Sequence, residues 1–529
     1  MSNFGDHPAG FFGKSEFYNG VTSSSLRANH GDSPGLKRTG VTGTSRRIFT
    51  HSSWVKRNGI FTQTENLLSV SPNNNDTNAF QYGFRDKDDT DGPNVQLSHY
   101  NGSGFDFRVE TTAKLRDVSS WYHIVLRVDT TQGTDTNRVR IYINGVLQTA
   151  LAQNTYPSQN FDTSLNVANT IHYMAGGAAA NAGGGNVYFD SYVTEINYVD
   201  GLSLGPDSFG ETKNGVWIPI NPVVSDYGNN GARLQFLNSG TGTTGQGTTA
   251  TTNIGDDSSG NGHNFAVLNY VASDIVPDNP ENNFCTLNSN GRRYGQSYVG
   301  TFSEGNLKVA TTGNATNVFG TMAINQIASQ GGVYFEVRMD SLDTSRTYFG
   351  VVGDTGINNQ NAYSNAGGYT FPIKGMLSQD PRAHFGTNTD GSSTDLRTGN
   401  TVFSDGEVIG IAILSDGKFF AHREGTYLKN ASGNVGNPST GANPIATIDL
   451  TLGDWFPYLG YNSSFSINFG QDGSFQGNET SGGNQDGNGI GDFMFAVPTN
   501  CFAICSSNMA EPTIGPNSTT QAFEHFDTA

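Results

Sequence analysis

Acidic side chains crowd into residues 86–92, where four aspartates precede Gly92 with a spacing close to that of a calcium-binding loop. An EF-hand register with Gly92 at its sixth position puts Lys87 at the first ligand position and Ser98 at the twelfth, which need Asp and Glu. Residues 486–492 match a calcium repeat once, and one copy cannot build the coordination shell of a stacked β-roll. We therefore predict a solvated turn at residues 86–92 and assign no metal ligand at either place.

The sequence contains no motif for the common hydrolytic mechanisms. Carboxylates at alternate positions of a strand share one face, and retaining glycosidases need such a pair about 5 Å apart. No Glu-x-Asp and no His-Glu-x-x-His occurs anywhere in the chain, and no Gly-x-Ser-x-Gly nucleophile elbow is predicted. Carboxylates gathered from separate strands stay open as an alternative. We predict that the protein is not an enzyme and has no catalytic residue.

The histidines and cysteines give no further site. His123 falls within a strand pattern, where an imidazole is more often packed than catalytic. Cys285, Cys501 and Cys505 are too few and odd in number for a disulfide framework, and no Cys or His pair has zinc spacing. This cysteine usage is typical of a protein that folds in a reducing cytoplasm.

Candidate ligand-binding side chains lie in Gly- and Asn-rich loops of the C-terminal half, at Tyr363, Tyr369, Arg382 and His384. Aromatic rings in such loops can stack on a ligand ring, and their polar neighbours can bond polar ligand groups. A plain exposed loop is the alternative for each of the four residues.

Composition and charge limit the class of partner. The chain of 529 residues carries Lys+Arg 29 against Asp+Glu 47, a net charge of −18 that disfavours nucleic acid and anionic lipid surfaces. No stretch approaches the roughly 18 apolar residues of a membrane helix, and the N-terminus has no recognisable secretion signal. With 68 glycines, 11% aromatic and only 14% charged residues, the composition predicts an all-β protein.

The strand patterns that must position any site are strongest in residues 119–146. Apolar and polar residues alternate in residues 121–128 and 139–143, as in strands with one face on a core. Asn144-Gly145 follows directly, flanked by Ile143 and Val146, and this pair predicts a type I′ hairpin turn. The region is therefore expected to be scaffold of an antiparallel sandwich.

Similar short runs divide the chain into two β-sandwiches. Strand patterns at 48–56, 80–84, 95–100, 105–109 and 186–199 indicate a first jelly roll over 26–222. Patterns at 334–338, 348–352, 405–411 and 464–470, with an Asp416-Gly417 hairpin, indicate a second sandwich over 285–475. The remaining predicted parts are an attachment segment (1–25), a connecting segment (223–284) with a Gly/Thr-rich loop, and a C-terminal tail (476–529).

Five motifs of the first jelly roll carry a family resemblance. In order they are Ser53-Trp54-Val55-Lys56-Arg57, Trp121-Tyr122-His123-Ile124-Val125, Arg140-Ile141-Tyr142-Ile143-Asn144-Gly145, Glu195-Ile196-Asn197-Tyr198-Val199-Asp200-Gly201 and Ser208-Phe209-Gly210-Glu211. Together they resemble the laminin-G/concanavalin-A-like domain of bacteriophage tail and fibre proteins. Residues 226–231 and 257–263 resemble the segment that follows this domain in those proteins.

The second sandwich resembles a SPRY domain. Tyr334-Phe335-Glu336-Val337-Arg338 and Ser464-Phe465-Ser466-Ile467-Asn468-Phe469-Gly470 carry this similarity, together with residues 348–352 and 405–411. Residues 485–514 resemble a tail segment that often closes SPRY modules in phage structural proteins. Because the chain stops at Ala529, a further receptor-binding or enzymatic module is not expected in this polypeptide.

The resemblance implies a virion structural protein, a fibre or decoration component of a bacteriophage particle that folds in the host cytoplasm. It also implies a homo-oligomer, specifically a trimer, that contacts other virion proteins and host surface polysaccharide, with neither nucleic acid nor membrane insertion. Jelly rolls of this type sometimes hold calcium at the sandwich rim, and the sequence assigns no cofactor. A glycan-degrading tailspike-type enzyme and a bacterial surface adhesin are the two alternative functions.

Overall fold

The computed structural model describes residues 17–59, 64–71, 77–85, 93–177, 187–242, 252–290, 300–311, 317–328, 330–342, 347–353, 370–375, 403–451, 453–460 and 463–509. Over these ranges the all-β prediction is confirmed, because strands dominate and the α-helix is a single turn, α1 (Asn325–Ala328). Short 3-10 turns occupy His30–Asp32, Asp135–Asn137, Pro206–Ser208, Ala272–Asp274 and Ser506–Asn508. No helix in the described ranges is long and apolar enough to cross a membrane.

The first sandwich is formed by strands from the N-terminal half of the chain. They are β1 (Ser25–Arg27), β2 (Gly35–Thr39), β3 (Ile48–Arg57), β4 (Glu65–Val70), β5 (Thr77–Arg85), β6 (Asn94–Asn101), β7 (Phe105–Lys114), β8 (Trp121–Asp129), β9 (Val139–Ile143), β10 (Val146–Leu147), β11 (Leu151–Thr155), β12 (Ile171–Met174), β13 (Ser191–Asp200), β14 (Gly210–Lys213), β15 (Val216–Pro219), β16 (Ala232–Leu234), β17 (Ala266–Leu268) and β18 (Ile275–Val276).

Two antiparallel sheets form this sandwich. Sheet A has the order β10-β9-β8-β3-β13-β1-β18, with β16 beside β13, and sheet B has the order β11-β7-β6-β5-β4-β12-β2-β17. Alternation along each strand places one set of side chains between the sheets. In β5, for example, Phe80, Tyr82 and Phe84 are fully buried in the core, whereas Gln81 and Gly83 lie on the outer side.

The predicted hairpin is confirmed. Asn144 and Gly145 have φ values of 48° and 78°, the positive values that a type I′ turn requires. The turn joins β9 to β10 with Ile143 paired to Val146. Residues 119–146 thus form one edge of sheet A, as the alternation predicted.

The predicted connecting segment differs from a linker, because it completes the first sandwich. β16 pairs with β13, β17 pairs with β2, and β18 pairs with β1. Leu234, Val267 and Val276 are buried in these strands. Each strand has only two or three residues, too few to show a period of two in the sequence.

The second sandwich has a larger and a smaller sheet. Its described strands are β19 (Thr301–Ser303), β20 (Lys308–Ala310), β21 (Asn317–Phe319), β22 (Gly332–Ser341), β23 (Thr347–Gly353), β24 (Thr370–Gly375), β25 (Val408–Ile413), β26 (Lys418–Arg423), β27 (Thr426–Tyr427), β28 (Ala446–Thr447), β29 (Trp455–Gly460), β30 (Ser464–Asn468) and β31 (Cys501–Phe502). Sheet C runs β19-β20-β30-β22-β25-β26-β27, with β28 and β31 at its side, and sheet D runs β21-β29-β23-β24.

The two ends of the described chain lie against the sandwiches. The backbone N–H groups of Asn19 and Thr22 both donate to the carboxylate of Glu281. Near the other end, the N–H groups of Met494 and Phe495 donate to the buried carboxylate of Glu336 in β22. Attachment of the N-terminal segment to a particle stays a prediction.

Candidate functional site

The four ligand-binding candidates chosen from the sequence lie outside the described residues. These are Tyr363, Tyr369, Arg382 and His384. The acidic stretch 86–92 also lies outside them. The candidate site below is therefore built from other residues, by comparing the outer faces of the described sheets.

His123 is a packed side chain, as its strand position predicted. Its ring lies between the indoles of Trp54 and Trp217, with centroid distances of 4.8 and 5.8 Å. Trp217 Nε1 donates to His123 Nδ1 at 2.9 Å, and His123 Nε2 lies 2.8 Å from the hydroxyl of Ser52. Burial lowers the pKa of His123 to about 3, so the imidazole is neutral at ordinary pH.

The outer face of sheet A is covered by apolar packing and by the second sandwich. We call it the covered face. One half holds the cluster of Val125, Tyr142, Val199 and Phe209, packed under residues 202–227. On the other half Arg27 Nη1 bonds Asp472 Oδ2 at 2.9 Å, joining β1 to the chain that follows β30. Little of this face is available to a ligand.

The outer faces of the second sandwich are also apolar. Against sheet C, Phe493, Ala503 and Cys505 from the C-terminal segment pack on Tyr334 and Phe420. On sheet D the outer side chains Phe319, Val352 and Tyr458 form a buried cluster of their own. These faces stabilise the fold through burial.

The outer face of sheet B is different, because a polar row crosses it. We call it the polar face. Cross-strand pairing brings together Lys37 with Tyr173, Tyr173 with Ser69, Ser69 with Gln81, Gln81 with Ser98, and Ser98 with Arg108. With strands about 4.8 Å apart, the six residues span roughly 24 Å. The four middle residues of the row are buried, and the cations Lys37 and Arg108 at its two ends are partly exposed.

A second set of side chains on the polar face holds the arginine in place. Arg108 Nε donates to Gln96 Oε1 at 2.8 Å, and Arg108 Nη2 bonds Glu110 Oε2 at 2.6 Å. Gln96 Nε2 donates to Ser98, and Asn94 Nδ2 donates to the other Glu110 oxygen. Phe105 lies beside the guanidinium, with its ring centroid 5.4 Å away. Such an array of fixed donors and acceptors beside an aromatic ring can bind hydroxyl-rich ligands.

Ser69 has the strongest local signal of a binding site. It is 0% exposed, and its hydroxyl has no hydrogen-bond partner in the structure. Leu68 and Val70 on either side point into the core, so the Ser69 hydroxyl points toward the polar face. A buried hydroxyl without a partner costs free energy, and a ligand hydrogen bond would recover it.

The acidic turns of the described chain satisfy their carboxylates internally. Asp200 accepts from the backbone N–H groups of Thr44 and Ser45, and Asp486 accepts from those of Asn488 and Ala503. Within the described ranges no group of three or more His, Cys, Asp or Glu is arranged to hold a metal ion. These aspartates stabilise turns.

The comparison with known proteins identifies the first sandwich. Residues 31–200 match the family model for the concanavalin A-like lectin/glucanases superfamily. This part of the chain is a concanavalin A-like domain. Residues 31–200 contain most strands of both sheets and all six residues of the polar row. No curated protein matches the chain.

Several solved structures share parts of the architecture at low identity. A putative carbohydrate binding protein from Bacteroides ovatus is 12% identical, with 47% of this chain and 58% of that chain covered and a TM-score of 0.29. A SAP-like pentraxin from Limulus polyphemus is 17% identical over 34% of this chain and 76% of its own, with a TM-score of 0.25. The enzymatically active domain of tailspike protein 2 of bacteriophage CBA120 is 11% identical over 33% and 24%, with a TM-score of 0.21. These scores support no functional argument.

Proposed function

We propose that the protein is a non-catalytic, polysaccharide-binding component of a bacteriophage particle, and that the polar face binds the polysaccharide. The particle assignment is supported by the five ordered motifs that resemble phage tail and fibre proteins. The concanavalin A-like fold of residues 31–200 supports carbohydrate as the ligand class. The choice of the polar face as the binding site is supported by the geometry of sheet B.

The observation that carries the choice of face is the unpartnered Ser69 hydroxyl in the middle of a polar row. The covered face and the outer faces of sheets C and D present buried apolar side chains at the corresponding places. On the polar face, Ser69 and Ser98 form a floor between Tyr173 and Arg108. A sugar chain lying along the row would meet hydroxyl, amide and guanidinium groups in turn.

The arrangement of carboxylates supports binding without cleavage. Glu110 lies beside Arg108 of the row, and both of its oxygens bond neighbouring side chains. Glycoside hydrolysis needs two carboxyl groups on either side of the scissile bond. We therefore propose that a bound polysaccharide is retained intact.

Several copies of the protein on one particle would make weak single binding sites effective. We propose a homo-oligomer with a SPRY-like second sandwich, in contact with other virion proteins. Several identical faces on one particle would engage one polysaccharide surface together, so modest single-site affinity suffices.

The test uses a panel of immobilised bacterial capsular polysaccharides and lipopolysaccharide O-chains. We expect the purified full chain to be retained on one or more of them without release of reducing sugar. Ser69→Ala should weaken retention about 3- to 10-fold, because a net hydrogen bond contributes about 1 kcal/mol.

Ser53→Ala is the matched control. Ser53 is also fully buried with an unpartnered hydroxyl, but it points into the core beside Val55. Equal weakening by both variants would contradict binding at the polar face. Release of reducing sugar by the wild-type chain would favour the glycan-degrading alternative instead.

A further inference from the structure

A lysine is buried where the first sandwich meets the chain leading into the second. Lys56, near the end of β3, is 0% exposed. Its Nζ atom contacts three oxygens: Asp278 Oδ2 at 2.8 Å, Asn283 Oδ1 at 2.7 Å and the Phe284 carbonyl at 2.8 Å. A primary amine, a carboxyl group and a carboxamide therefore meet in one water-poor place.

Aromatic side chains enclose this group. The Tyr192 ring centroid lies 5.7 Å from Lys56 Nζ, and Trp121 Nε1 donates to Asp278 Oδ1 at 3.1 Å. Asp278 is as fully buried as Lys56. Burial raises the pKa of Asp278, although the neighbouring ammonium partly opposes the effect, so this carboxyl accepts a proton more readily than usual.

The carboxamide of Asn283 is held in a fixed orientation. Its Nδ2 donates to the carbonyl oxygen of Ser119 at 2.7 Å, which leaves Oδ1 directed at Lys56. The backbone N–H of Asn283 donates to the Ser506 hydroxyl at 2.9 Å. The amine is thus positioned beside a carbonyl carbon that has little freedom to turn away.

We propose that Lys56 and Asn283 form an intramolecular isopeptide bond, with Asp278 transferring the protons. The proposal does not depend on polysaccharide binding. It assigns a covalent link between the first sandwich and the segment that leads into the second.

The chemistry balances without an oxidant or a cofactor. Asp278 takes a proton from the Lys56 ammonium, and the neutral amine attacks Cγ of Asn283. The nitrogen–carbon bond forms as the carbonyl π electrons move to Oδ1. When the carbonyl re-forms, the bond from Cγ to Nδ2 breaks, and one proton passes from the attacking nitrogen to the leaving nitrogen through Asp278, which keeps the proton that it first took from the ammonium. The products are one secondary amide and one molecule of ammonia.

The link would replace a costly arrangement with a neutral one. A buried ammonium and carboxylate lose their hydration, and their mutual attraction only partly repays it. The amide product carries no charge and keeps an oxygen for hydrogen bonding. The bond would tie the segment around Asn283 to β3, so this segment could leave the first sandwich only if a covalent bond broke.

Mass spectrometry of the intact, folded wild-type chain tests the proposal. We expect the mass to be lower than that of the sequence by one ammonia. Because trypsin cuts after Arg47, Arg57, Arg233 and Arg292, digestion should yield a branched peptide joining residues 48–57 to residues 234–292. Fragmentation of that peptide should place the branch at Lys56 and Asn283.

Variants show whether a loss of ammonia comes from the bond between Lys56 and Asn283 or from another reaction. Lys56→Arg and Asn283→Ala should retain the full mass, and Asp278→Asn should retain it or react far more slowly. Asn282→Ala is the matched control and should still lose ammonia, because Asn282 bonds Ser507 and Asn279 instead of Lys56. If a variant fails to fold, the wild-type peptide decides the matter.

Two results would overturn the proposal. One is a wild-type chain that keeps its full mass after prolonged incubation at physiological temperature. The other is loss of ammonia at Asn283 as a cyclic imide, with the Lys56 amine still free to react with an acylating reagent.

Discussion

The covered face and the polar face of the first sandwich arise from the same alternation of inward and outward side chains along the strands. The outward side chains of the two faces nevertheless differ in kind. On the covered face, outward side chains such as Val199 and Phe209 are buried under other parts of the chain, and the cations Arg27 and Lys56 are neutralised by carboxylates. On the polar face, the outward row is polar in every strand from β2 to β7 that it crosses.

Under the proposed function, the difference explains how a sandwich can present a binding surface without a change in its core. Most side chains between the sheets are apolar and belong to one shared core, so the core does not decide which outer face meets a ligand. A face that is covered by other segments of the chain must have its charged side chains paired with opposite charges in the folded state. A face that receives a ligand can keep a hydroxyl such as that of Ser69 unpaired until the ligand arrives.

The largest difference between the faces should appear when a cation is removed. Arg27→Met would leave the Asp472 carboxylate buried without its partner, which costs about 3–5 kcal/mol. Arg108→Met on the polar face should cost less, about 1–2 kcal/mol, because Arg108 is partly exposed and Glu110 keeps its hydrogen bond from Asn94. Denaturant unfolding of both variants measures the two values.

Equal losses of unfolding free energy in these two variants would break the comparison. Polysaccharide retention should show the opposite order, with Arg108→Met impaired and Arg27→Met unchanged at temperatures where both remain folded.

The next effect is a difference in acid sensitivity. Unfolded histidine has a pKa near 6.5, whereas that of folded His123 is lowered to about 3. The stability that His123 contributes is therefore present above about pH 6.5 and is lost as the pH falls toward 3, by about 1.4 kcal/mol per pH unit.

His123→Phe keeps the stack with Trp54 and removes the titrating group. Its unfolding free energy should fall less steeply with acid than that of the wild type, although buried His51 and His172 continue to contribute. Denaturant titrations at about pH 7.5, 6 and 5 give the two slopes. Parallel curves would mean that His123 is not held neutral on the covered face.

The smallest effect concerns the free protein alone. Ser69→Ala and Ser53→Ala each remove a buried hydroxyl that has no partner, so both should leave the unfolding free energy within about 1 kcal/mol or raise it slightly. Thermal unfolding without polysaccharide checks this. A clear loss of stability in Ser69→Ala would show that its hydroxyl already has a partner in the free protein.

The sequence predicted the scaffold better than the site. The alternation of residues 121–128 and the Asn144-Gly145 turn indicated sheet A, because period and turn chemistry are local properties. The contribution of β16, β17 and β18 was missed, since pairing partners far along the chain determine strands of two or three residues.

The residues of the polar face are visible in the sequence, but they can be recognised as one row only when the register between the strands is known. Ser69, Gln81 and Ser98 each interrupt an apolar strand pattern, as expected of any strand with one outer face. Their alignment into one row depends on cross-strand pairing. The meeting of Lys56, Asp278 and Asn283 likewise depends on contacts across more than two hundred residues.

Hydrogen–deuterium exchange with a retained polysaccharide tests the central claim most directly. The account predicts that the ligand slows exchange in Glu65–Val70, Thr77–Arg85, Asn94–Asn101 and Phe105–Lys114, the central strands of the polar face. Exchange in the strands of sheet A should change little. Protection confined to the second sandwich, with β4 to β7 unchanged, would contradict it.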